Sequence, residues 1–355
     1  MGAREHPATD RIPARRSWTS LLLRWIGLPI SAAAIWILVN SVDVSTAGGA
    51  LATAHLVPLA GATAVIAVQI ALVTARWRLL LPLTPAGRQP RYLATARGLL
   101  VGYLGNFVLP ARLGEAVRAY LVARLENLPL TATFASVILE RVVDTASIAL
   151  IAFVVALALD MPAWVVQISG LVAAAGLLVF TVVAFGFLSV LSGWLLRLTP
   201  AASRTRLLAL SVTMDDLSRG LSGGGRWGTI LLVLVISLAS WGLESAVYLL
   251  VARSLGIVLT LPEALLLAGV TVLATAVPSA PAYLGTFELA ATALASALGI
   301  PPASALAFAV LVHITTVVPL AIGGLVSLAT IGIGLAPLAR IARSAEDGIV
   351  AQADG

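Results

Sequence analysis

The chain has 355 residues, 60% of them hydrophobic and only 11% charged, with a mean hydropathy of +1.03. A soluble domain carries about 25% charged residues, so this composition excludes an ordinary soluble globule and points to an integral membrane protein. Cysteine is absent, which excludes disulfides and thiolate sites; all 22 basic residues are arginine, and a net charge of +6 fits cytoplasmic loops beside anionic headgroups, not nucleic acid.

Residues 1–20 read as a basic cytoplasmic tail. The apolar runs that follow are long and non-alternating, so they predict an all-α membrane protein with helices near the ~20 residues a bilayer needs. The first two spans are expected at Leu21–Asn40 and Val57–Ala75. The loop between them holds Asp43 and no arginine, whereas Arg4, Arg11, Arg15, Arg16, Arg76 and Arg78 flank the other ends. The positive-inside rule then places the N-terminus in the cytoplasm. Tyr92–Pro110 leads into the polar stretch NFVLPARLGEAVRAYL, Asn106 to Leu121. Helices are expected next at Thr131–Leu159 and Trp164–Val190, followed by an arginine-rich amphipathic cytoplasmic loop over 195–227. Thr229–Ala252, Pro262–Val277, Leu284–Leu298 and Ala303–Leu335 complete a membrane domain over 21–338, and 339–355 form a cytoplasmic tail. The arginines balance with about six full spans plus two re-entrant helical hairpins, Tyr92–Leu121 and Pro262–Leu298. Arg253 alone then falls outside, and eight or more spans is the alternative.

The polar stretch has an echo. PARLG (110–114) matches PAYLG (281–285) at an offset of 171, and LPLTATFASVILER (128–141) resembles IPPASALAFAVLVH (300–313) at an offset of 172. Two matches in one order suggest that 57–159 and 229–335 are inverted repeats. Repeats of that kind meet near the midplane, where broken helices form a binding site. Pro110 and Pro281 stop a helix, and Gly114 and Gly285 permit a turn; ordinary kinks are the plainer reading.

Charges recur where lipid makes them costly. Glu140, Arg141 and Asp144 share one side of a helix. They either line a substrate path or lock helices as a buried ion-pair network. Asn106, Arg112, Glu115 and Arg118 either join that path or sit at the interface, where the arginines snorkel. Glu244, Glu288 and His313 are further intramembrane candidates; Glu244 and His313 are candidate coupling residues or plain structural hydrogen-bonders. His313 falls at the repeat position of Arg141. The three histidines are far apart, and no metal ligand set or nucleotide-binding motif is present.

GNFVLPARLGEAVRAYLV…ERVVD, followed by AVPSAPAYLGTFE…ALAFAVLVH, resembles the transmembrane, flippase-like domain of the lysylphosphatidylglycerol synthase family, over roughly Leu21–Leu335. The resemblance implies movement of a lipid across the bilayer. The cargo would be an anionic or aminoacylated phospholipid, or a polyprenyl-linked sugar. It assigns Asn106, Pro110, Arg112, Gly114, Glu115, Arg118, Glu140, Arg141 and Asp144 to the first block and Pro278, Pro281, Gly285 and Glu288 to the second. Ala282 stands where the pattern favours glycine, which alters the second turn. Bifunctional members add a soluble aminoacyl-transferase domain; the chain as read carries none, so lipid synthesis is not expected, nor is any cofactor.

The expected activity is lipid flipping. Arg112, Arg118 and Arg141 would engage phosphate, while Glu115, Glu140 and Asp144 balance their charge. Rival readings are a small-solute transporter, an intramembrane transferase, and a membrane partner of a separately encoded synthase. A homo-oligomer fits any of them.

Overall fold

The computed structural model describes residues 26–109, 112–184, 226–335, 337–341 and 344. Pro110, the tail at 1–20, the loop at 195–225 and the margins of two expected spans (21–25 and 185–190) lie outside the described residues. Among the described residues the regular structure is helical. The helices are α1 (Gly27–Ser41), α2 (Val44–Ala52), α3 (Leu56–Leu80), α4 (Tyr92–Val108), α5 (Gly114–Glu126), α6 (Leu130–Ala158) and α7 (Ala163–Ala184), then α8 (Arg226–Ser254), α9 (Leu261–Ala274), α10 (Thr286–Ala297) and α11 (Pro302–Ile331). A 3₁₀ turn, Pro281–Tyr283, sits between α9 and α10.

Among the described residues, α3, α6, α8 and α11 are long and apolar enough to cross a membrane, and α1 with α2 passes as one broken span. At 1.5 Å per residue, the 30 residues of α11 reach about 45 Å, beyond the ~30 Å hydrocarbon core. Trp36, Leu56, Val57, Leu171 and Val258 are exposed, as expected of a surface solvated by lipid tails as apolar as leucine.

Past the end of the expected first span the chain turns by 88°, and α2 forms where a loop was expected. Asp43 fixes the turn: its Oδ1 accepts the Ser45 N–H at 2.9 Å and the Thr46 N–H at 3.2 Å, capping α2. Glu263 closes the start of α9 by accepting from both the Thr260 N–H and hydroxyl, at 2.7 and 2.6 Å.

Packing crosses between the halves. The α4–α5 hairpin rests on α6 through α5 and on α11 through α4; the α9–α10 pair rests on α11 through α10 and on α6 through α9. Helix α3 lies along α8. A glycine stripe makes the first hairpin close: a Cβ at Gly102 would meet Arg118 Cβ at 2.8 Å, and one at Gly105 would meet Gly114 Cα at 2.8 Å. Backbone is therefore packed against backbone. The second break is closed by α1, where the Ser31 hydroxyl accepts the Ala280 N–H at 2.7 Å. That bond satisfies an amide that lipid could not.

Candidate functional site

Three helices bring their charges to one place. Arg76 of α3 is 2% exposed, and Glu140 of α6 is fully buried. Arg76 Nη2 donates to Glu140 Oε1 at 2.9 Å and to Asp144 Oδ2 at 2.8 Å, while Nη1 pairs with Asp144 Oδ1 and donates to Ser237 Oγ of α8 at 2.9 Å. From α5, Arg118 donates to Glu115 Oε2 and Glu140 Oε2, both at 2.7 Å, with its guanidinium 4.7 Å from the Trp77 ring centroid. Trp77 is itself fixed through Nε1 to Ser136 Oγ at 3.1 Å. Arg141 completes the group more loosely: its nearest carboxylate oxygens are Glu140 at 3.4 Å, Asp144 at 3.5 Å and Glu115 at 4.0 Å, and its side chain stays 35% exposed. Three arginines thus face three acids.

This geometry divides the expected residues. Glu140 and Arg118 are buried and bonded to each other and to neighbouring charges, so they lock α3, α5 and α6 together. Glu115, Arg141 and Asp144 line a cavity of about 250 Å³, as do Asn106 and Arg112. Asn106 donates to Glu115 at 3.4 Å. Gly114 packs so tightly that a Cβ would fall on Asn106 and the Gly102 backbone; its role is approach, not contact with cargo.

Arg112 stands at the meeting of the two chain breaks. Its Nη2 donates to Thr275 Oγ1 at 2.7 Å, and its guanidinium lies 5.3 Å from the Tyr283 ring centroid. Among the described residues no carboxylate pairs with it. Arg112 (φ 54°) and Tyr283 (φ 61°) both adopt the left-handed conformation. Pro281 opens the 3₁₀ turn, and Pro278 lies exposed before it. Ala282 is also left-handed at φ 57°, a conformation that costs about 1–2 kcal/mol for an L-residue. Ala282→Gly is therefore expected to raise stability by about 1 kcal/mol, read as a higher Tm in detergent. Gly285, at φ 87°, meets Ser31 O of α1 with no room for a Cβ.

On the far wall, the Glu288 side chain accepts the Gly285 N–H at 2.7 Å through Oε2 and pairs with His313 Nδ1 through Oε1. His313 lines the cavity; Glu288 stands behind it. Glu244, also on the wall, accepts from Gln69 Nε2 at 2.8 Å.

Arg76 corrects the sequence reading, which took it for a flanking loop charge. The signal was a charge count: Glu140, Arg141 and Asp144 sum to −1, so burial demanded another cation. Sequence reasoning also missed Gln69 and Tyr103 on the cavity wall, which carry no charge to betray them.

A bundle that is helical among the described residues, with several apolar spans around a charged chamber of about 250 Å³, defines a multi-pass membrane protein. The chain belongs to the family of the lysylphosphatidylglycerol synthase TM region, whose family model matches residues 24–324. It is also similar to the glycosyltransferase AglD of Haloferax volcanii, with 28% identity over 276 residues. That match covers 67% of this chain and 43% of the relative, so the chain spans less than half of that protein's length.

Proposed function

We propose that the protein is a flippase of the cell membrane, moving a phosphate-bearing lipid between leaflets. One observation carries this reading. An apolar groove of about 420 Å³ between α6 and α7, walled by residues such as Ile138, Val142, Val172 and Ala175, shares Glu115, Arg141 and Thr145 with the polar cavity. A small hydrophilic solute needs no such groove. A lipid does: its acyl chains stay in the groove while the headgroup enters the cavity. Arg141 stands at the junction, and Arg112 supplies a cation without an acid partner deeper in. Both forks suit phosphate oxygens.

Alternating access follows from two inverted halves over 57–159 and 229–335, within six full spans and two re-entrant hairpins, both termini cytoplasmic. Support comes from element spacing. The helices α3 and α8, α4 and α9, α5 and α10, α6 and α11 begin at 56 and 226, 92 and 261, 114 and 286, 130 and 302, offsets of 170, 169, 172 and 172. Arg112 and Tyr283, the third residues of PARLG and PAYLG, touch each other. No bond is made or broken in this cycle. A polyprenyl-linked sugar carried through its phosphate is the second reading, favoured by the similarity to a protein named as a glycosyltransferase.

The test is reconstitution into vesicles with labelled lipids of different headgroups. Flux above that of protein-free vesicles is expected for at least one phosphate-bearing lipid. Ala175→Trp, which fills the groove without touching the charged cluster, is expected to cut that flux about tenfold. Unchanged flux in this variant, or none with any lipid, overturns the reading.

A further inference from the structure

His313 is the twelfth residue of α11, as Arg141 is the twelfth of α6. Each faces a carboxylate from the start of the short helix before it: Glu115, second in α5, and Glu288, third in α10. Both line the same cavity. One turn further, the positions equivalent by the 172-residue offset are Asp144 and Thr316, which also line it. Here the halves differ. Asp144 is paired with Arg76, whereas the Thr316 hydroxyl is buried with no hydrogen-bond partner among the described residues. Leaving a buried hydroxyl unpaired is costly, and Thr316 lines the cavity beside an imidazole.

We infer that His313 and Thr316 form a second phosphate-binding station, the counterpart of the Arg141 station in the other half. It rests on the flippase reading and deepens it: the headgroup phosphate passes from Arg141 to His313. Thr316 donates its hydroxyl hydrogen to a phosphate oxygen. His313, paired through Nδ1 with Glu288, presents Nε2–H and a positive charge when protonated. The Phe287 ring of α10 packs against the imidazole, 4.6 Å away by centroids and tilted by 34°.

Full-length protein in vesicles with a labelled short-chain phosphatidylglycerol tests this. His313→Gln and Thr316→Val are each expected to lower flux several-fold, whereas His313→Arg, which keeps donors against Glu288 and toward the cavity, is expected to retain it. Flux equal to wild type in either His313→Gln or Thr316→Val overturns the station. A second readout separates it from the flippase reading. The chain has three histidines, so the imidazole NMR signal lost in His313→Gln is that of His313. Dioctanoyl phosphatidylglycerol added in detergent should shift it. A shift without vesicle flux keeps the station and refutes flipping; flux with no shift does the reverse.

Discussion

Replacing Arg141 with alanine is expected to lower lipid flux by about ten- to a hundredfold while the protein remains folded. A hydrogen bond between charged partners contributes about 1.5–3 kcal/mol, and each 1.4 kcal/mol is a factor of ten. Stability should change little because none of the acids depends on Arg141 alone. Glu115 keeps Arg118, Glu140 keeps Arg76 and Arg118, and Asp144 keeps Arg76. Its own ion pairs are 3.4–4.0 Å long and partly exposed, a class that contributes under about 1 kcal/mol. Arg141→Lys should recover part of the flux, since charge survives but the planar fork does not. Flux by Arg141→Ala at the wild-type rate in vesicles would remove Arg141 from the path.

Glu140→Ala has the opposite profile, with the largest expected loss of stability: about 3–5 kcal/mol, the usual consequence of stranding a buried charge. Glu140 is fully buried and receives both Arg76 and Arg118. Without it, three arginines face two acids, Arg76 and Arg118 are left buried beside an empty position, and the tie between α3, α5 and α6 is lost. Arg118 lies over the Trp77 ring, so tryptophan emission should shift along with a lowered Tm in detergent. Glu140→Gln keeps the volume and some hydrogen bonding and should fall between. A Tm for Glu140→Ala within a degree of wild type would show that the cluster does not hold the helices.

Much of this arrangement was legible in the sequence. Helix ends at Leu130, Leu261 and Pro302 fall within a residue or so of the expected ones because Pro129, Pro262 and Pro301 punctuate the apolar runs. The charged block at 140–144 announced itself because lipid penalises charge. Arg76 was harder to read, since a cation near a helix end is normally a headgroup anchor and only its partners show otherwise. Helix α2 was hidden as well: Val44–Ala52 is rich in glycine and other small residues, so it reads as a loop between two spans. Neither could sequence spacing divide Glu140 and Arg118, which lock helices, from Arg141 and Asp144, which face the cavity. That division depends on which side of each helix meets α3.

The contact between Arg112 and Tyr283 has a mechanical corollary. If the halves are the proposed inverted repeats, two equivalent positions that touch one another must lie near the axis relating them. Motion that trades the conformations of the halves would leave such a pair where it was. The guanidinium and the phenol ring would then serve as a fulcrum, with Arg141 and His313 taking turns at facing the bilayer's two sides.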